Sequence, residues 1–476
     1  MFMLHSKLQS EEDIAFASAT ELHRLMVKGD LSATELTDIY LNRIKKFNGL
    51  SKAYITVTPN EARVNVTSFT RHDLEASPFA GVPFAAKDLF DIEGIKTTGG
   101  SRVFHDHLAT EDAVSIARLK KGKAISLGKL NLHEFAYGAT GENPEFGTCP
   151  NAYDTSRLAG GSSSGSAAAV AFGLAPVTLG TDTGGSVRAP ASLNGIVGLK
   201  PTMGRVSTRG VMPYCWTLDH VGLMTRTVHD CANLLGLVAG FDPQDPVTVN
   251  VPVDDYAFEL DNEIAGLHVG IPANFFYERT DPEILAAVER VQRYLVSHGA
   301  QLVPVTMPDM TNTRTVSLTV QMPEALSVHS RYLDERGDLY GQDFRAGLAL
   351  GQCLLAEHYV RAKRFIEVYR QQTNALFDDV DILLTPTTPA IAPHIGTVTT
   401  KVDGMDEPVG NAITRFTSFF NMSGHPAITV PCGLHSEGLP MGVQVVGRYF
   451  EEKLILNVAR LIEKNDEFSV PRPKIG

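Results

Sequence analysis

Between residues 18 and 48 charged and apolar positions alternate at helical spacing, and Ser32-Ala-Thr-Glu35 has the form of a capping box. Two helices are predicted there, making an N-terminal helical arm. From Phe79 onward the pattern changes to short apolar runs, Val82 to Ala86, Ile125 to Gly128 and Pro176 to Gly180. A helix of small residues, Ser166 to Leu174, lies between two of them. Strands alternating with helices predict an α/β sheet covered by helices. Between about 281 and 376 the pattern becomes almost wholly helical, with Asp281 as cap and Pro282 as opening residue of the first helix. Strand patterns return at Asp381-Ile-Leu-Leu-Thr-Pro386, Ala427-Ile-Thr-Val-Pro431 and Met441-Gly-Val-Gln-Val-Val-Gly447. The expectation is one domain over 1–476, with an arm at 1–75 and an α/β core from 76–260 and 380–476. A helical insertion at about 281–376 would shape the substrate pocket.

Chemistry concentrates in three segments of the predicted core. Ala159-Gly-Gly-Ser162-Ser-Ser-Gly165-Ser166 runs into the small-residue helix, which anchors its serines at a helix start. Gly180-Thr-Asp-Thr-Gly-Gly-Ser186-Val-Arg-Ala-Pro190 follows a predicted buried strand. Backbone amides at such a strand-to-helix junction have no intrahelical partner and stabilise negative charge. The amides of Thr183, Gly184, Gly185 and Ser186 are therefore expected to form an oxyanion hole. In Gly81-Val-Pro-Phe-Ala-Ala-Lys87-Asp-Leu-Phe90, Lys87 follows an apolar run that would draw it out of water. A desolvated ammonium is easier to deprotonate, and serine needs such a base to attack at neutral pH.

These segments together resemble the amidase signature family, serine hydrolases that use Ser-Ser-Lys. The likeness continues through Gly195-Ile-Val-Gly-Leu-Lys-Pro201, Leu218-Asp-His-Val-Gly222, Met224-Thr-Arg226 and Phe420-Asn-Met-Ser-Gly-His-Pro426. It implies a single α/β/α sandwich around a large mixed, twisted sheet, cleavage of amide C–N bonds, and no metal or organic cofactor. It also implies Ser186 as nucleophile, Ser162 as proton relay, preceded by a cis peptide bond, and Lys87 as base. Asp182, Arg188, Gly161 and Ser163 would support them. A competing pattern, Gly161-Ser-Ser163-Ser-Gly165, matches the Gly-x-Ser-x-Gly nucleophile elbow and would make Ser163 the attacker, but residues 151–157 are too polar to supply its strand. Tyr137 and Trp216 are expected as pocket walls, against the ordinary alternative of aromatic core residues.

Composition narrows the field further. With 43% hydrophobic and 20% charged residues the chain reads as an ordinary globule, and its net charge of −12, without basic clusters, argues against direct nucleic-acid contact. No apolar stretch resembles a leader or membrane segment, so a cytoplasmic protein is expected. Cys149, Cys215, Cys231, Cys353 and Cys432 lack disulfide or zinc spacing and read as reduced core fillers. His133-Glu134-Phe-Ala-Tyr137 lacks the second histidine of a zinc-protease helix, and neither a Walker loop nor a dinucleotide fingerprint occurs. The expected partner is a small-molecule amide, bound by a homodimer without nucleic acid. Other readings are the catalytic A subunit of the glutamine-dependent tRNA amidotransferase, an allophanate or biuret-type ureide hydrolase, and a noncatalytic binding module. The segment Leu132 to Tyr137 departs from the Met-Asp-Glu-Phe-Ala-Met pattern associated with the tRNA enzyme.

Overall fold

The computed structural model describes residues 10–67, 69–75, 77–258 and 260–475. The first nine residues of the predicted arm lie outside the described residues. Both arm helices form: Ala19–Lys28 and Ala33–Ser51, the second opened by Ser32, whose hydroxyl accepts the Glu35 N–H while the Glu35 carboxylate accepts the Ser32 N–H. Each reciprocal bond satisfies a donor that the helix cannot satisfy internally.

The strands are β1 (Tyr54–Val57), β2 (Pro83–Lys87), β3 (Ile125–Leu130), β4 (Val177–Asp182), β5 (Val197–Lys200), β6 (His220–Thr225), β7 (His268–Pro272), β8 (Gln301–Val305), β9 (Ile382–Pro386), β10 (Thr399–Val402), β11 (Met405–Pro408), β12 (Ala427–Leu434) and β13 (Pro440–Gly447). Among the described residues β10 and β11 form a separate hairpin. The other eleven make one mixed sheet in the order β1-β3-β2-β4-β6-β5-β12-β13-β9-β7-β8. Helices surround it. The small-residue helix Ser164–Ala171 is wholly buried, and Pro282–Ser297 and Glu452–Glu463 add apolar faces to the main core. A second apolar cluster joins Phe135, Tyr214, Phe276 and Phe416–Phe420 aromatics to the helices Thr313–Arg336, Gln342–Gln352 and Ala356–Leu376.

The expected boundaries need one correction. The stretch 281–376 is not wholly helical, because β8 interrupts it and joins the sheet next to β7. The helix Pro282–Ser297 thus serves the core, and the continuous helical segment begins only at Thr313.

The topology positions the chemistry. β2 and β4 are parallel neighbours, with Phe84 opposite Val177 and Ala86 opposite Leu179. Parallel strands present their C-terminal ends on one edge, so Lys87 and the loop following Asp182 emerge side by side. Gly180 lets the serine loop pack against β4, since a Cβ there would stand 2.8 Å from Ser163 Oγ.

Candidate active site

Lys87 is fully buried at the end of β2. Its Nζ meets three hydroxyls: Ser162 Oγ at 2.7 Å, Thr181 Oγ1 at 2.8 Å and Ser163 Oγ at 3.0 Å. The adjacent carboxylate does not compete, because Asp88 pairs with buried Lys129 at 2.7 Å and accepts the Thr98 N–H. Burial therefore dominates and pulls Lys87 down to about 7, against a smaller upward pull from Asp219 and Asp182. Thr181, which sequence reasoning missed, is the third hydroxyl; the triad of donors on an ammonium was the only signal that another acceptor was needed.

The serine loop packs directly against the strand ends. The Gly161–Ser162 peptide is cis, and a Cβ on Gly161 would crowd Gly141 N at 2.6 Å. Ser162 is buried, and Ser163 N–H donates to the Ser186 carbonyl at 3.2 Å, which joins the two loops. Ser163 Oγ is spoken for: it donates to Thr181 C=O at 3.1 Å and accepts from Thr181 N–H and Lys87. The stretch before it contains only isolated bridges, at Pro150, Arg157 and Leu158, so the strand required by a nucleophile elbow is missing among the described residues. Ser186 instead opens onto a cavity of about 490 Å³. Among the described residues no hydrogen bond links the Ser162 and Ser186 hydroxyls.

Asp182 organises the loop that carries Ser186. Its carboxylate accepts N–H bonds from Gly185 at 2.7 Å and Val187 at 3.2 Å, and binds Arg188 through Nε at 3.0 Å and Nη2 at 2.9 Å. Arg188 also reaches Gln444 at 2.8 Å and Asn421 at 2.7 Å, and all four side chains are buried. Burial opposes ionisation of Asp182, but Arg188 and the Asn421 amide outweigh it and hold the carboxyl well below its ordinary value. This network corrects the expected set of oxyanion donors. The Gly185 N–H is committed to Asp182, whereas the amides of Thr183, Gly184 and Ser186 have no acceptor among the described residues. Gly185 has φ +120°, and a Cβ there would overlap the Thr417 hydroxyl, which itself donates to the Gly184 carbonyl at 2.9 Å.

The cavity wall includes half-buried Tyr137, whose ring meets Phe344 at 5.4 Å and Tyr214 at 6.3 Å. Trp216 is a correction: it is 54% exposed and lines a neighbouring cavity with Thr181, Asp219 and His220, not the one over Ser186. A wall of the substrate pocket is expected from its place near the Leu218-Asp219 loop, but that loop turns its Asp inward and its Trp outward. Asp219 accepts Thr183 Oγ1 at 2.5 Å and the amides of Tyr214 and Cys215. Sequence reasoning also missed a clamp between the core and the helical segment. His133 N–H donates to the Ser162 carbonyl at 3.1 Å, and its Nε2 lies 2.7 Å from Asp343 on the helix Gln342–Gln352. His133 and Asp343 are 210 residues apart in the chain, so no local pattern relates them.

No group of three potential metal ligands occurs among the described residues, and none of their helices is long and apolar enough to cross a membrane. Four cysteines are buried, but Cys353 is exposed at the end of a helix and fills no core, contrary to expectation.

The pattern that defines the Amidase family matches residues 35–456. The chain belongs to the amidase signature family. It is accordingly an enzyme of the class acting on amide C–N bonds. It is 36% identical to the A subunit of glutamyl-tRNA(Gln) amidotransferase from Geobacter sp. (strain M21), over 95% of this chain and 98% of that protein. Among solved structures it resembles a chain of the vestigial protein complex bearing on the evolutionary origins of an s-triazine catabolic enzyme. That match has 34% identity, a TM-score of 0.92, and covers 96% of this chain and 100% of the other. The A subunit of glutamyl-tRNA(Gln) amidotransferase from Thermotoga maritima matches with 31% identity and a TM-score of 0.83, over 97% of this chain and 98% of that one.

These relatives overturn the expected partners. A small-molecule amide, a homodimer and no nucleic acid were expected, yet relatives along nearly the whole chain are named as one subunit of an enzyme of glutamyl-tRNA. The physical reason is that net charge speaks only to phosphate contacts made by this chain itself. It carries no information about a nucleic acid held by another protein.

Proposed function

We propose that this amidase-family chain is the amide-hydrolysing A subunit of a cytoplasmic glutamine-dependent tRNA amidotransferase. The observation that carries the chemistry is a buried Lys87 amine bound to the Ser162 hydroxyl, one residue from the peptide that touches Ser186. As a neutral amine Lys87 accepts the proton of Ser162, and Ser162 accepts that of Ser186 once bound substrate draws the hydroxyls together. Ser186 Oγ attacks the amide carbon, and the oxyanion forms against the free amides of Thr183, Gly184 and Ser186. The proton returns through Ser162 to the departing nitrogen, ammonia leaves, and water cleaves the acyl-enzyme by the same relay. Asp182 and Arg188 hold the amides in place, Ser163 holds Lys87, and Gly161 lets the serine loop approach. The full-length likeness to subunits named for glutamyl-tRNA supports glutamine as the amide and partner subunits as the place where ammonia is used.

The test is ammonia release from glutamine by the purified chain, alone and with its co-purifying subunits. Glutamine hydrolysis that rises when partners and glutamyl-tRNA are added is expected. Release from a urea-like amide, with none from glutamine under any condition, would contradict the reading and favour a ureide hydrolase.

A further inference from the structure

The cavity over Ser186 contains a cation that the proposed chemistry does not use. Arg314, in the first turn of the helix Thr313–Arg336, lines the same cavity as Ser186, Gly184 and Tyr137. It is the one lysine or arginine among the described lining residues. Its Nη1 donates to Thr414 Oγ1 at 3.1 Å, and among the described residues it forms no ion pair. A guanidinium presents five N–H donors and stays charged at every relevant pH, so most of its binding capacity is free.

Its surroundings offer nothing to neutralise it. The two carboxylates on the cavity wall are engaged elsewhere, Asp343 with His133 Nε2 at 2.7 Å and Glu142 with the Gly396 N–H at 2.9 Å. The phenols of Tyr214 and Tyr137 act on it, and both are pushed above the ordinary tyrosine range, Tyr214 by burial in the first place and Tyr137 likewise. They are neutral at physiological pH. The position does not serve the helix either. A cation in a first turn opposes the helix dipole, and this turn has neither an acidic residue nor a side-chain cap.

Arg314 is tied to the loop that carries the nucleophile. Its partner Thr414 lies one turn before Thr417, whose hydroxyl is 3.3 Å from the Thr414 carbonyl and 2.9 Å from that of Gly184. Guanidinium and Ser186 thus face one cavity, linked through the short connection from Thr414 to Thr417 between the helices Val409–Thr414 and Ser418–Ser423.

We propose that Arg314 is the specificity residue for this enzyme's substrate, binding a free carboxylate at the end of the molecule remote from the scissile amide. The substrate class is an amide that also bears a carboxylate, of which glutamine is one member. The inference rests on Ser186-centred hydrolysis but not on which carboxylated amide is used. Two N–H groups of the fork meet the two carboxylate oxygens, a geometry that an ammonium cannot reproduce.

The test uses the Ser186→Ala chain, with partner subunits if they co-purify, so that binding is read without turnover. Calorimetry compares glutamine with glutaminamide, and succinamate with succinamide. The carboxylated member of at least one pair is expected to bind more tightly, and Arg314→Met to weaken it roughly 10- to 100-fold without affecting the uncharged member. Arg314→Lys should restore part of the preference. In the chain with Ser186 intact, Arg314→Met should raise KM for the carboxylated amide far more than it lowers kcat. Equal weakening of charged and uncharged members, or no preference for a carboxylate in either pair, would overturn the role of Arg314. Arg314-dependent binding of succinamate without glutamine binding would keep that role and remove glutamine as substrate. Glutamine hydrolysis unchanged in Arg314→Met would do the reverse.

Discussion

Replacing Lys87 by methionine is expected to lower kcat by on the order of 10²- to 10⁴-fold while leaving the protein folded. The side chain is fully buried and, among the described residues, its amine hydrogen-bonds only to hydroxyls, so a neutral chain of similar length removes a desolvated charge without opening a large cavity. Lys87→Arg should not rescue the rate, because a guanidinium remains charged and accepts no proton. Steady-state kinetics beside a thermal melt separate the two effects. A variant that melts normally and turns over normally would remove Lys87 from the mechanism.

The second large effect is on stability. Arg188→Met leaves the Asp182 carboxylate buried without its principal counter-ion, and breaking such a pair from one side costs about 3–5 kcal/mol. The loss should appear as a lower midpoint in urea unfolding. It should also lower kcat, since Asp182 fixes the backbone on both sides of Ser186. The sign with pH follows from the depressed Asp182 value. In the wild type its contribution is complete above the carboxyl's ordinary value of 3.8 and is lost as pH falls below it toward the folded value. The variant should lose that part of the acid dependence. An unchanged urea midpoint would show that the Asn421 amide and the Gly185 and Val187 N–H groups suffice without the guanidinium.

Much of the candidate site was legible because its parts are local. Gly180 to Arg188 forms a strand end, a glycine loop and a helix start in sequence order, and Lys87 follows an apolar run that is itself a strand. What failed depends on contacts between distant segments or on exposure. β8 is an edge strand, mostly exposed and containing Pro304, so it lacks the apolar run that marked the buried strands. The commitment of the Gly185 amide to Asp182 is a matter of which way a carboxylate turns, and four adjacent amides look alike in a sequence. Arg314 stands in a threonine-rich helix start with no pattern to distinguish it, and its meaning comes only from a cavity shared with Ser186.

The central claim is that a neutral Lys87 activates Ser186 through Ser162, and acylation of Ser186 followed across pH tests it most directly. A serine-directed acylating reagent, with the modified residue located by peptide mass, reports the step without needing the natural substrate. The account predicts labelling at Ser186 whose rate rises with pH through a midpoint near 7, where Lys87 loses its proton, and collapses in Lys87→Met. Labelling at Ser163, or a Ser186 rate indifferent to both pH and Lys87, would contradict it.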